Sequence, residues 1–383
     1  MVRRFAPLAL GVLMAAAVGV HGEEPAHGGS WYFAVTGDSR DCGDLVMPKI
    51  AHDIAANEGK TPVAFFWHLG DFRLGFDIDC DMLERLHPGY DCTERTQPLA
   101  DDDMDAYLGD AWKDFLERQI APFGGTRVFL GIGNHELAAG RTRDDFRNFF
   151  RRWLTQGPIH AQRRADARRG IPSSEGDTSY HFVTRGADFI FLDNADPQAF
   201  TPGQITWLAR VLAADVADPG VRTIVVGMHA ALPNSTVREH AMDASCQGRC
   251  SGDQVYGMLF RAQNLSAPPS QRKNVVVFAS HMHTFAADVY ATPEHSGQVV
   301  PGWVIGTAGA EQYAAEIRYG YVLAEVRADG SVAVEFRGVT RDTPPAAEGP
   351  GAAAATDYCF ALNHETPRWR QQPPPACPCG STP

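Results

Sequence analysis

Five places in this sequence put a metal-ligating or acid–base side chain directly behind a short apolar run. They are Asp38 in Gly37-Asp38-Ser39-Arg40, Asp71 in Gly70-Asp71-Phe72-Arg73, Asn134 and His135 in Gly131-Ile132-Gly133-Asn134-His135-Glu136, His229 after Gly227-Met228, and His281 with His283 in Ser280-His281-Met282-His283. Carboxylate and amide oxygens and imidazole nitrogens bind hard or borderline cations, and an imidazole also moves protons near neutral pH. The set contains no thiolate, which suits Fe, Mn or Zn. Asp71, with two carboxylate oxygens, is able to bridge two ions. Each place also has a bland reading. Asp beside Gly makes a turn, a His at a strand end packs as a structural residue, and Asn-His-Glu caps a helix. Five such endings at one edge of an expected sheet are hard to reach by coincidence. His281 and His283 lie two apart, so on a continuing strand they point to opposite sides, and a turn is needed for both to face one centre.

Strands must hold these side chains. The apolar runs Trp31 to Thr36, Val63 to Leu69, Val128 to Leu130, Thr223 to Val226 and Val275 to Phe278 read as buried strands, each ending at one of the five places. In open α/β sheets, ligands bind outside the carboxyl ends of the strands. Helical spacing covers Leu45 to Glu58, Met104 to Ile120, Thr142 to Leu154 and Val255 to Leu265. A further helix runs through Val211, with Thr201 as its cap and Pro202 at its first position. Ser179 to Thr184 and Asp188 to Leu192 flank Arg185-Gly186-Ala187 as a hairpin. Trp303 to Ile305 follows, then Tyr321 to Arg327 and Val332 to Phe336 about an Asp329-Gly330 turn. Residues 75 to 102 read as an inserted loop with two Cys and many acids. From 157 to 176 the pattern fades around Arg163, Arg164, Arg168 and Arg169, which suit a solvated loop or a rim that attracts anions. From Thr343 the chain is rich in Pro and Ala and reads as a tail with little regular structure, pinned by Cys359.

The chain has 383 residues, 44% hydrophobic and 21% charged, a globular composition. Residues 1–22 have the Arg3-Arg4 start and short apolar run of a secretory signal peptide, so the protein is expected to be secreted or periplasmic. The remaining organisation is one domain over 30–340 and a C-terminal tail over 341–383. No later segment is apolar enough to span a bilayer. Cleavage after Gly22 removes two Arg and no acid and takes the net charge from −12 to −14. That balance argues against general nucleic-acid binding, which needs a basic footprint. It leaves small anionic substrates open, since a metal centre supplies local positive charge. Eight Cys in an exported chain suggest disulfides, whose pairing the sequence leaves open.

In order and strand context the five places resemble the motifs of the calcineurin-like metallophosphoesterase superfamily, which includes purple acid phosphatases. That family carries D-x-H, GD-x-x, GNH-D/E, a lone His after a strand, and GH-x-H. Here the corresponding pieces are Asp38-Ser39-Arg40, Gly70-Asp71, Gly133-Asn134-His135-Glu136, His229 and His281-Met282-His283, over residues 31 to about 310. The resemblance implies a four-layer α/β/β/α sandwich of two mixed sheets. It also implies a dinuclear centre in which Asp71 bridges, Asp38 and His283 bind one ion, and Asn134, His229 and His281 bind the other. His135 then protonates the leaving oxygen or steadies the phosphoryl group. Two cations generating hydroxide for in-line attack on a small phosphate ester, a nucleotide included, would complete the chemistry.

Two departures stand out. Arg40 takes the place of the first-motif His, and no Tyr after Asp71 makes up the loss as it does in purple acid phosphatases, because Phe72, Arg73 and Leu74 follow. Ser280 replaces the usual Gly. A guanidinium cannot ligate a cation but can grip a phosphate oxygen, so Arg40, and with less support Arg73, is expected to bind substrate phosphate or pair with an acid. The rival expectation is a protein that keeps the scaffold, has lost catalytic power and serves as a binding or adaptor protein.

Overall fold

β-Branched and aromatic runs one strand in length build most of the framework. In the computed structural model, which describes residues 29–93, 101–174, 177–196 and 198–365 with Cys377 and Cys379, eleven strands are found among the described residues. Along the chain they are β1 (Trp31–Thr36), β2 (Val63–His68), β3 (Val128–Leu130), β4 (Tyr180–Thr184), β5 (Ala187–Leu192), β6 (Thr223–Met228), β7 (Asn274–Ala279), β8 (Phe285–Ala287), β9 (Gly302–Ile305), β10 (Gly320–Val326) and β11 (Val332–Gly338). They form two mixed sheets, in the orders β11-β10-β1-β2-β3 and β4-β5-β6-β7-β9-β8. The neighbours β1, β2 and β3 run parallel, as do β5, β6, β7 and β9, so the carboxyl ends of all five ligand-bearing strands are free to converge.

The helices are α1 (Gly43–Ala56), α2 (Cys80–Leu86), α3 (Asp101–Asp114), α4 (Arg143–Phe149), α5 (Arg151–Leu154), α6 (Gly157–Arg169), α7 (Pro202–Ala217), α8 (Cys246–Ala262) and α9 (Ala352–Asp357). The sheets face one another across an aromatic layer. Phe33 and Phe65 of the first sheet meet Phe189 of the second at ring-centroid distances of 4.9 Å, edge to face, and Phe129 stacks on Phe182 at 4.1 Å. The apolar face of α1, with Val46, Met47 and Ile50, belongs to this core. The outer face of the second sheet buries Ile224, Val226 and Val275 with Trp207 and Leu208 of α7 and Val255 and Leu259 of α8. These layers make the expected α/β/β/α sandwich. Truncating one of the central phenylalanines to Ala would cost about 3–5 kcal/mol.

The helix expected to start at Thr201 is capped by that residue, whose side chain accepts from Gln204 N–H, and it continues past Val211 to Ala217. The hairpin turns at Arg185-Gly186, both at positive φ, the geometry of a two-residue turn. Three expectations are corrected. Residues 157 to 169 form α6, not a loop. Its buried positions reduce to Ile159 and Asp166, too few to show a helical period. The described part of 75–102 holds α2, and its Ile78, Met82 and Leu83 form a small core with Tyr107 of α3, closed by a Cys80–Cys92 disulfide; residues 94–100 lie outside the described residues. The Ala-rich tail forms α9, tied to the start of α1 by Cys42–Cys359, while Cys246 and Cys250 on α8 pair with Cys377 and Cys379. The expected signal peptide lies outside the described residues.

Candidate metal centre

The chain leaves β1, β2, β3 and β7 through turns that local sterics fix. Asp38, Asp71 and His281 all sit at positive φ, 59°, 61° and 69°, a conformation that costs a non-glycine residue energy and clusters at functional sites. At His281 this turn breaks the strand alternation, so His281 and His283 both face inward as the spacing required. Gly133 is fixed by close approach, since a Cβ there would lie 2.2 Å from Asp71 Oδ1. Gly70, at φ 103°, would press a Cβ to 2.4 Å from Gly133 N.

Four ligand-type side chains meet below these turns. His229 Nε2 lies 3.3 Å from Asp71 Oδ1, 2.9 Å from Asn134 Oδ1 and 3.1 Å from His281 Nδ1. Ligand atoms about 2.0–2.2 Å from a shared cation are separated by roughly 3.0–3.5 Å, so these spacings fit one ion. Among the described residues, the His, Cys, Asp and Glu atoms that close within 4.8 Å are those of Asp71, His229 and His281, all buried or nearly so. The ring of His229 is aimed from behind: Nδ1 lies 3.1 Å from Leu69 O, so an Nδ1–H donates there and Nε2 is left as a ligand. Asn194 Oδ1 accepts from the His229 and Ala230 N–H groups, and its amide donates to Ala230 O. Ser280, the Gly replacement, is accommodated, with its hydroxyl 3.2 Å from His229 Nδ1. The Gln198 amide lies 3.0 Å from His281 Nε2 and orients that ring.

Asp38 and His283 stand beside this group but outside it. Asp38 Oδ2 accepts from His281 N–H at 2.8 Å, and Asp38 Oδ1 is 3.5 Å from His283 Nε2. Burial, with Asp71 nearby, pushes the Asp38 carboxyl up to about 6, against the pull of His229 and Arg40. Burial works in the same direction on Asp71, but His135, His229 and Arg40 outweigh it and hold that carboxyl well below its usual range. Arg40 reaches across the cleft: Nη2 is 2.7 Å from His283 Nε2 and Nη1 is 2.7 Å from His135 Nε2. The His135 Nδ1 lies against Leu74 O, and its backbone N–H donates to Asp71 Oδ1 at 3.0 Å. Burial first, then Arg40, keep the His135 ring below its usual pKa, with Asp71 opposing. The residues fit a cation at Asp71, Asn134, His229 and His281. They do not fit a second one at Asp38 and His283, because the His283 nitrogen facing that space accepts from Arg40.

The centre opens into a cleft of about 770 Å³, lined among others by Arg40, His135, His283, Phe76, His240 and Tyr313. Phe76, 64% exposed, lies 5.2 Å from the His135 ring, and Tyr313 stacks on His283 at 4.6 Å. His240, Tyr313, Asn194 and Gln198 were not evident from the sequence, since single polar or aromatic residues in loops carry no pattern.

Arg73 is corrected. It is 1% exposed and paired with Asp44, Asp81 and Asp114 away from the cleft, where those carboxylates hold its charge despite burial. The Arg163–Arg169 cluster lies on α6; Arg163 pairs with Asp177 and Arg169 with Asp218, and none of the four lines the cleft.

The two-sheet sandwich, with ligand-type residues at the carboxyl ends of β1, β2, β3, β6 and β7, resembles the calcineurin-like metallophosphoesterase superfamily in both fold and motif placement. No family model matches the chain, and no curated protein matches it. Among solved structures it is similar to a purple acid phosphatase from yellow lupin (Lupinus luteus) seeds, at 14% identity and a TM-score of 0.49 over 82% of this chain and 52% of that one. It thus spans about half the length of the lupin chain. It is also similar to GAP50, the anchor in the inner membrane complex of Plasmodium (12% identity, TM-score 0.43, 89% of this chain and 98% of that one). A third is a phosphatase from Mycoplasma pneumoniae (11% identity, TM-score 0.36, 81% and 93%). Similarity of this degree concerns shape and assigns no activity.

Proposed function

We propose that this chain is an exported, metal-dependent phosphoesterase that hydrolyses small phosphate esters in the cleft above Asp71. The observation that carries the reading is the meeting of Asp71, Asn134, His229 and His281 at ligand spacing beneath a cleft that also presents Arg40 and His135. A cation held by those four side chains supplies Lewis-acid polarisation of the phosphoryl group. The guanidinium of Arg40 grips a phosphate oxygen and stabilises charge that develops on it. When Nη1 of Arg40 turns to that oxygen, His135 Nε2 is released to hold or deliver a proton at the leaving oxygen. The Nδ1 contact with Leu74 O keeps the ring in register for that transfer. Four disulfides among the described residues suit an oxidising compartment, which supports export.

The test is hydrolysis of p-nitrophenyl phosphate and its bis ester by protein stripped with a chelator, then reloaded with Mn²⁺, Zn²⁺ or Fe²⁺, beside His281→Ala. We expect turnover to vanish on stripping, return on reloading, and fall by about 100-fold or more in the variant. The preferred ester separates monoesterase from diesterase. Turnover indifferent to the chelator would overturn the metal dependence, and no turnover with any of the metals would overturn the enzyme reading and leave the scaffold as a binding protein.

A further inference from the structure

The first motif of a dinuclear centre is where this chain departs most from its relatives, and the structure puts a fixed positive charge there. An imidazole nitrogen has one in-plane lone pair. The lone pair of His283 Nε2 that a cation would need is 2.7 Å from Arg40 Nη2, a hydrogen-bond donor. Arg40 is not a wandering surface side chain. Its second Nη is held by His135 at 2.7 Å, and its loop is pinned by Ser39 N–H to Asp71 O at 2.9 Å and by the disulfide at Cys42. Nearby, Asp38 Oδ1 and Asp71 Oδ2 are buried carboxylate oxygens that accept no hydrogen bond, and Arg40 Nε is a buried donor that makes none. Two bare carboxylate oxygens require a positive neighbour. Asp38 and His283 do not join the ligand group that closes around Asp71, His229 and His281. A dication added against the partly buried Arg40 guanidinium would meet like-charge repulsion weakly screened by solvent.

We propose that Arg40 stands in for the first-motif cation, so that this chain is built for one metal ion, bounded by Asp71, Asn134, His229 and His281, with the guanidinium as its second electrophile. The proposal rests on the metal-centre reading above and adds to it. It gives the phosphoryl group one metal contact and one bidentate, directional contact, where a dinuclear centre gives two metal contacts.

The experiment counts metal per chain by plasma mass spectrometry. Full-length protein is dialysed against Mn²⁺ or Zn²⁺ and freed of unbound ion, for wild type, Arg40→His, His283→Ala and His281→Ala, with circular dichroism to check folding. We expect one ion in wild type, two in Arg40→His, which recreates the usual first motif, one in His283→Ala, and less than a tenth of an ion in His281→Ala. Two ions in wild type, one in both wild type and Arg40→His, or loss of the ion in His283→Ala would overturn the proposal while leaving a metal centre in place. No ion in well-folded wild type would instead overturn the metal-centre reading itself. If Arg40→His fails to fold, the wild-type and His283→Ala counts still decide the matter.

Discussion

Glu136 is turned toward backbone, and its two carboxylate oxygens accept from the N–H groups of Gly133, Asp71 and Phe72 at 2.7–2.9 Å. It thereby clips the turn after β2 to the turn after β3, the two that carry Asp71 and Asn134. Burial and the Asp71 charge push its carboxyl up to about 7, and the three backbone bonds pull the other way. Glu136→Ala would leave three buried N–H groups without a partner. We expect a loss of about 3 kcal/mol in urea denaturation, together with weaker metal binding. An unchanged midpoint would show that the turns hold themselves. At this scale the candidate ligands were visible only as a set, because an Asp beside Gly or a lone His at a strand end reads equally well as a turn or a packed residue. The anchoring role of Glu136 was hidden, since a Glu beside a His reads equally well as an acid or a base. Pairing with an acid was one of the two roles expected for Arg73, but nothing in the sequence reveals that three carboxylates close over it, and the two imidazole partners of Arg40 were equally hidden.

Ten of the eleven strands were legible at the scale of elements, because apolar runs of strand length have one natural home in a two-sheet core, whereas the three-residue β8 gave no such run. Helix α6 was not, because its anchoring is a polar contact. Asp166 of α6 lies 2.7 Å from His181 Nε2 on β4, and Asp188 of β5 lies 2.8 Å from Nδ1. Asp215 of α7, its carboxyl driven well up by burial and by Asp188, and Lys273 complete the charged surroundings. Burial lowers the His181 pKa, but Asp188 and Asp166 outweigh it and raise the group to about 10. A His with a folded pKa above its unfolded value of about 6.5 contributes stability that is fully present below pH 6.5 and is lost as pH rises through about 10. We expect the unfolding free energy to fall between pH 6.5 and 10 by an amount on the order of 4 kcal/mol from this group, and that part of the slope to vanish in His181→Gln. Denaturation curves at several pH values on both proteins measure it. Equal slopes would mean that the network holds His181 neutral.

The molecule as a whole is a framework closed by covalent links between distant segments. Cys42–Cys359 spans 317 residues and holds α9 and the turn after it against the start of α1, two residues from Arg40. Cys246 and Cys250, one helical turn apart on α8, receive Cys377 and Cys379 side by side. Cys count and compartment made disulfides foreseeable, whereas pairing depends on which segments the fold brings together. Replacing Cys42 and Cys359 by Ser should cost about 2–5 kcal/mol in guanidinium denaturation. No change would mean that packing alone holds this end of the chain. The ends of β2, β3, β6 and β7 bring Asp71, Asn134, His229 and His281 together as one metal centre. Anomalous diffraction at the Mn edge, from crystals of the wild-type protein soaked in Mn²⁺, tests it most directly. We expect a single strong peak bounded by Asp71, Asn134, His229 and His281, with Arg40 still on His283. Absence of a peak among those four residues, with Mn²⁺ in large excess in the soak, would contradict the centre and with it the enzyme reading.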